Sequence, residues 1–380
     1  MRVLIVASNF PPVLGGIQTN AYEVARGLVP RSSELLAVAP RPARCEAFDA
    51  GSGVPTLRLR AFGDDLALSG IAPLVPLLRR RSFDVALATH WAPGFALQEA
   101  ARLAGQRLPI FIAAHGKELV HRPLAGLPGA QPVYDRVRAR ALRGARGFFP
   151  VSRRTAELLE ASGVTPDRIS VVPNGVDPEV FKPRDASRLR ADLGEGGPIL
   201  LSVARLVTRK GIDTVLRALP AVLREVPAAT YVIVGDGPDY PRLARLAAEL
   251  QVTRHVRFIA RAGDELAEYY NACDLFVMPA REEPGDIEGF GLVFLEAGAC
   301  EKPVIGARAG GVVDAIIDGV TGRLVPPDDP AALCEAILGF VRAPERAAAF
   351  GRAARERILR ECTWDHAAEA IAHRMRATVV

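Results

Sequence analysis

The chain has 380 residues, 49% of them hydrophobic and 24% charged, with 48 Lys+Arg against 43 Asp+Glu. That length suggests two domains, each able to bury its own core, and the ordinary charged share excludes wholesale disorder. A net charge of +5 is too small to mark a nucleic-acid protein by itself.

Residues 1–7 form a β-branched, nearly continuous apolar run, the pattern of a strand buried on both faces of a parallel sheet. Asn9-Phe10-Pro11-Pro12 interrupts it before it could serve as the apolar region of a signal peptide. A Gly/Pro loop follows, then a helical spacing of Ala21, Val24, Ala25 and Leu28 over 18–28. Strands are expected at 84–89, 109–114 and 147–151, with helices at 94–103 and 155–161. A short strand at 170–172 closes the series before Pro173-Asn174-Gly175. Residues 182–197 are polar and end in Gly-Glu-Gly-Gly, which reads as a linker.

A second series begins there, with strands at 199–203, 230–234, 256–259, 274–278 and 303–306. Helices are expected near 212–226, 240–250 and 292–299, and an amphipathic one at 365–380. The α/β alternation predicts two domains, each built of βαβ units on a parallel sheet. The expected division is 1–181 with a terminal segment 362–380, the linker 182–197, and 198–361.

Cys45, Cys273, Cys300, Cys334 and Cys362 are dispersed with no C-x-x-C pair, so free thiols in a reducing compartment are expected. No run approaches the roughly 18 apolar residues of a membrane span. The expectation is a cytoplasmic protein. Charge is uneven: residues 1–180 hold 22 Lys+Arg and 15 Asp+Glu, and the remainder 26 and 28. The basic residues gather at Arg79-Arg80-Arg81, at Arg136, Arg138, Arg140, Arg143 and Arg146, and at Arg153 and Arg154. They are read either as a solvated helix face or as a contact for anionic lipid headgroups.

Four constellations could carry chemistry. The loop 10–17 contains Gly15 and Gly16 at a strand's carboxyl end, where open α/β sheets bind ligands. It is either an ordinary βα turn or a place where backbone approaches a phosphate or sugar; without G-x-G-x-x-G a dinucleotide reading is weak. His115 stands at the tip of the strand 109–114, as a ligand-facing group or a satisfied structural histidine. Arg205 and Lys210 follow the first strand of the second series, close to a helix start, and suit a diphosphate. Arg209 between them could be a solvated surface charge. The fourth is Glu288-Gly289-Phe290-Gly291-Leu292-Val293-Phe294-Leu295-Glu296. Two glycines precede a helix whose first amides, near Gly291, Leu292 and Val293, are free for phosphate oxygens. Glu288 and Glu296 are about 12 Å apart at a helical rise, near the span from ribose to hexose of a nucleotide-sugar.

Together, Gly15-Gly16, His115-Gly116, Arg205 with Lys210-Gly211, and Glu288-x7-Glu296 resemble glycosyltransferase family 4. These are retaining enzymes of GT-B fold that use nucleotide-sugars. Pro173-Asn174-Gly175-Val176-Asp177, Gly235-Asp236-Gly237-Pro238, residues 274–279 and Gly310-Gly311 are similar to the family as well. The resemblance implies two Rossmann-like domains across a deep cleft, the first for the acceptor and the second for the donor, with a terminal helix crossing back to the first. It implies that Gly16 meets the donor phosphates, that Arg205 and Lys210 stabilise the leaving diphosphate, and that Glu296 takes the ribose. Glu288 would bond the transferred sugar, and His115 would meet that sugar from the other domain. The loop 285–291 is similar to that of members using GDP-mannose; UDP-glucose or UDP-N-acetylglucosamine is the alternative donor. Two departures stand out: Arg261 after Phe258-Ile259-Ala260, where the family commonly places Gly, and Ala280 where Ser is common.

No Asp-x-Asp metal motif sits at a strand end, so no metal and no cofactor are expected. The expected reaction is a front-face transfer of a hexose, most simply mannose, to an acceptor hydroxyl, glycan or lipid-linked. Peripheral contact with an anionic membrane through the basic half and no nucleic-acid partner complete the reading. A non-catalytic nucleotide-sugar binder is the competing class, although it would be expected to lack His115 or one of the two glutamates. Epimerases of the same fold would need further cleft carboxylates, and a dehydrogenase would need the dinucleotide fingerprint.

Overall fold

The computed structural model describes residues 1–379 apart from 14, 60–65, 125, 127, 128, 195, 261 and 262. Leu14 of the glycine loop, Glu195 of the expected linker, Arg261 and Val380 therefore lie outside the described residues. The chain divides into two compact units, Met1–Asn174 with Trp364–Val380, and Gly175–Thr363.

The first unit holds a six-stranded sheet of β1 (Arg2–Val6), β2 (Glu34–Pro40), β3 (Thr56–Leu59), β4 (Val85–Ala88), β5 (Ile110–Ala114) and β6 (Gly147–Pro150), in the order β3-β2-β1-β4-β5-β6. All neighbouring strands are parallel. β1, β4 and β5 are buried almost throughout, as continuous apolar strands covered by helices on both faces must be. Leu4, Val6, Leu74, Leu78, Ala96 and Leu97 form one core cluster, on the face of the sheet that the helices Ile71–Arg80 and Trp91–Ala104 cover. The helix Trp364–Arg376 completes this unit against the helix Gly16–Leu28. The closeness depends on Gly27, where an added Cβ would meet the Ala368 methyl at 2.4 Å. Arg31 also bonds Asp365 at 2.8 Å and Glu369 at 2.7 Å.

The second unit repeats the plan with β7 (Ile199–Val203), β8 (Thr230–Val234), β9 (Val256–Ile259), β10 (Leu275–Met278), β11 (Val304–Ala307) and β12 (Arg323–Val325), ordered β12-β11-β10-β7-β8-β9 and again all parallel. The strand order of each sheet therefore reverses once, between β1 and β4 and between β7 and β10. Loops at the carboxyl ends of those strand pairs diverge and leave room for a ligand.

The structure departs from the sequence reading in several places. The expected strand 170–172 is absent: Ser170 and Val172 donate to the carbonyls of Phe148 and Pro150 at 2.9 Å each, and only an isolated bridge at Ile169 forms. Strands β2, β3 and β12 and the helices Pro330–Val341 and Pro344–Glu361 were not anticipated. The segment read as a linker contains the helix Ser187–Leu193, which belongs to the second unit. All five cysteines are free and buried.

Candidate active site

In the second unit the chain leaves β7, passes Arg205, and makes a single 3-10 turn, Thr208–Lys210, before the helix Ile212–Glu225. Gly211 joins the two with a left-handed φ of 69°, and a Cβ there would lie 2.0 Å from the Pro279 carbonyl oxygen. Only glycine lets this turn press against the end of β10. The contact is tied by the Arg281 amide, which donates to the Arg209 carbonyl at 2.8 Å. Arg281 Nη2 donates to both oxygens of Asp213 at 3.0 Å and Nε reaches Glu283 at 3.0 Å, fixing the loop after β10 to the start of the helix Ile212–Glu225.

That loop carries Glu288 into the cluster. Its Oε2 accepts from Lys210 Nζ at 2.5 Å and from Arg209 Nη1, while Arg209 Nε faces Asp286 Oδ1 at 3.0 Å. Glu288 is 8% exposed. Burial pushes its carboxyl up, but Lys210 and Arg209 outweigh that and hold it at about 2. Burial pushes the Lys210 ammonium down, with Glu288 opposing. The backbone on the other side is held equally closely: the Gly311 amide donates to the Glu288 carbonyl at 2.8 Å, and a Cβ on Gly311 would sit 1.9 Å from the Gly289 carbonyl oxygen. Close approach thus explains the Gly310-Gly311 pair.

Beyond Gly289 the helix Leu292–Ala299 begins with Gly291 at its N-cap and no side-chain cap, so its first amides remain available to an anion. Glu296 lies one turn in, buried enough that its carboxyl is pushed up, and accepts from the Tyr270 hydroxyl at 2.6 Å.

Three expectations change. Arg209, weighed as a solvated charge, belongs to the cluster, because two carboxylates nearly 80 residues further on face it. Arg205 lies outside the cluster, exposed and without an ion-pair partner among the described residues. Phe290, expected to touch the donor, is 2% exposed, and its side chain is part of the core.

In the first unit Gly15 and Gly16 are exposed at the end of β1. His115 is 8% exposed. Its Nε2 pairs with the Thr89 carbonyl at 3.0 Å, and its amide donates to Glu118 Oε1 at 2.7 Å. A carbonyl can only accept, so Nε2 carries the proton and neutral His115 keeps Nδ1 as an acceptor. Burial pushes its pKa down. A second histidine, not singled out in the sequence, stands beside it at the end of β4. His90 Nδ1 accepts from the Ala92 amide at 3.2 Å and so caps the helix Trp91–Ala104, and Nε2 lies 2.7 Å from Ser8 Oγ. Burial, with His115 adding to it, pushes the His90 pKa down to about 3. The tips of β1, β4 and β5 thus carry a contiguous polar group of Ser8, Thr89, His90 and His115.

Much of the basic charge of this unit is already spent. Arg140 and Arg102 share Glu99, and Arg138 pairs with Asp135, whereas Arg80, Arg136, Arg143 and Arg146 are exposed. Among the described residues no helix is long and apolar enough to cross a membrane, and no group of His, Cys, Asp or Glu is arranged to hold a metal ion.

Residues 184–357 match the family described as "Glycosyl transferases group 1", and residues 14–180 match "Glycosyltransferase Family 4". The chain is 34% identical over 372 residues to a GDP-mannose-dependent alpha-(1-6)-phosphatidylinositol monomannoside mannosyltransferase of Mycolicibacterium smegmatis, covering 95% of each chain. It is 33% identical to the protein so named from Mycobacterium tuberculosis, covering 99% of this chain and 98% of that one. Among solved structures, Anabaena HepE in complex with UDP-glucose superposes with a TM-score of 0.82 at 21% identity, over 99% of this chain and 100% of that one.

Proposed function

We propose, from the fact that the chain belongs to glycosyltransferase family 4 and is a transferase of GT-B fold, that it moves mannose from GDP-mannose to a hydroxyl of a lipid-linked glycan or polyol, with retention. The observation that carries this reading is the buried Glu288 held by Lys210 and Arg209 where β7 and β10 diverge, one turn of chain ahead of an uncapped helix. Positive charge and free amides gathered there suit a diphosphate leaving group. The names of the relatives support GDP-mannose over UDP-sugars and a phosphoinositide-type glycolipid as acceptor.

In this reading the sugar C1–O bond to the diphosphate breaks as C1 bonds to the acceptor oxygen on the same face. The acceptor proton passes to a diphosphate oxygen, and GDP leaves. Lys210 and the amides of Leu292 and Val293 take up the charge that develops on the diphosphate, a task that elsewhere falls to a divalent metal, so no metal or other cofactor is required. Glu288 holds the sugar hydroxyls and Glu296 the ribose. Arg205, exposed and uncommitted, is available to the phosphates. His115, fixed by Thr89 as a neutral acceptor, orients a sugar hydroxyl. Arg80, Arg136, Arg143 and Arg146 supply charge for peripheral contact with anionic lipid on the cytoplasmic side.

The deciding experiment is nucleotide release and glycolipid mannosylation from GDP-mannose, UDP-glucose and UDP-N-acetylglucosamine, each with and without EDTA. GDP-mannose turnover insensitive to EDTA, giving an α-linked product, is the expected outcome. Release from a UDP-sugar alone, loss with EDTA, or an inverted product would each overturn the corresponding part. Sedimentation with anionic vesicles should weaken as salt rises; salt-insensitive or absent binding removes the membrane contact.

A further inference from the structure

The two carboxylate oxygens of Glu296 are in different situations. Oε2 accepts the Tyr270 hydroxyl at 2.6 Å, whereas Oε1 has no hydrogen-bond partner among the described residues. Tyr270 is fully buried on the helix Leu266–Ala272. Its ring packs edge-on to Phe181 at 5.8 Å and tilted on Phe276 at 5.7 Å, and Phe276 in turn meets Phe294 of the Glu296 helix at 5.4 Å. The hydroxyl therefore has one place to be. Burial, and the Glu296 charge after it, push the Tyr270 pKa well above its usual value, so the phenol stays protonated and can only donate to Glu296.

We propose that Tyr270 is a positioning residue for the nucleotide ribose: by occupying Oε2 of Glu296 it aims Oε1, with both lone pairs free, at the ribose hydroxyls. The inference rests on the assignment of Glu296 to the ribose made above. A carboxylate held at one oxygen loses its rotational freedom before the ligand arrives, which removes an ordering cost from binding. Burial raises the Glu296 carboxyl, whereas Tyr270 and the Lys210 charge lower it. The other titratable group that faces it, Cys300, is pushed up to about 12 and stays neutral. Removing the phenol should therefore move Glu296 protonation to higher pH.

The test is calorimetric binding of GDP and 2′-deoxy-GDP to the full chain, which needs no acceptor. The wild type should prefer GDP. Tyr270→Phe, which keeps the ring contacts, should weaken GDP about 5- to 10-fold, weaken 2′-deoxy-GDP much less, and raise the midpoint of the acidic loss of GDP affinity. Donor KM should rise with kcat little changed. Glu296→Gln gives a second, independent reading. If Tyr270 fixes the near oxygen, the glutamine amide NH2 faces the ribose, whose hydroxyls can accept from it but lose their carboxylate acceptor, and GDP affinity falls, though less far than in Glu296→Ala. GDP affinity and pH midpoint unchanged in Tyr270→Phe overturn the positioning role and leave the ribose assignment standing. Unchanged GDP affinity in Glu296→Ala overturns the ribose assignment itself, and this inference with it.

Discussion

Lys210 and Arg209 illustrate how one buried carboxylate divides neighbouring cations by function. Lys210→Ala should lower turnover by on the order of 100-fold at saturating GDP-mannose while the protein still folds, because Arg209 continues to neutralise Glu288. Unaltered turnover would remove Lys210 from the chemistry. Arg209→Ala should lower the melting temperature, since it removes the contact with Asp286 and one of the two cations that hold the buried Glu288. Arg205→Ala should leave melting unchanged and raise donor KM; paired thermal scans and kinetics separate the two. The buried histidines set a pH dependence. His90 has a folded pKa near 3 against an ordinary value near 6.5, so the unfolded chain binds its proton first on acidification. Stability from this group is complete above about pH 6.5 and falls by up to ~1.4 kcal/mol per pH unit towards pH 3. Urea unfolding of His90→Gln between pH 4 and 7 should show a shallower slope than wild type; an identical slope would exclude His90 as its source. The parts played by Arg209 and His90 were not legible in the sequence. Arg209 looked solvated because its partners are Asp286 and Glu288, and His90 carried no motif around it.

Among elements, the 3-10 turn Thr208–Lys210 and its Gly211 cap carry the donor cluster. Gly211→Ala should destabilise the second unit by roughly 2–4 kcal/mol, combining the left-handed φ with a Cβ driven into the Pro279 carbonyl. Chemical denaturation of the variant checks this; a loss well under 1 kcal/mol would mean that the turn relaxes freely. Elements with both a strong pattern and clear punctuation were readable in advance. The helix Leu292–Ala299 begins behind Gly-Phe-Gly, and β7 and β8 are short, largely apolar runs bounded by turn residues. Elements without those signals were not. β2 opens on Glu34 and closes on Pro40, β3 has only four residues with Arg58 among them, and β12 has three. The stretch 170–172 has strand composition, but its backbone follows β6 through single hydrogen bonds that never become a ladder. Glu288, Glu296 and Lys210 were legible because glycines and helix starts lie beside them, while Tyr270 reaches Glu296 from a helix 26 residues earlier.

At the scale of the whole molecule, the two units share one sheet topology but not one continuity. The second is a single stretch, Gly175–Thr363, whereas the first needs both Met1–Asn174 and Trp364–Val380. A fragment 175–363 should fold alone, with a cooperative melt and GDP-dependent stabilisation. A fragment 1–174 should be poorly soluble until a peptide of 364–380 is added; independent folding of 1–174 would show that the terminal helix is dispensable. The apolar face awaiting that peptide includes Ala21, Val24, Ala25 and Leu28 on the helix Gly16–Leu28. This arrangement has a consequence for the protein's birth. On the ribosome the amino-terminal unit emerges first yet is finished after its neighbour, because the helix Trp364–Arg376 that covers it follows the whole of Gly175–Thr363. The middle unit can be complete while its elder neighbour still shows an uncovered apolar helix, and chaperones that hold nascent chains should find their site there, released once the helix Trp364–Arg376 has emerged.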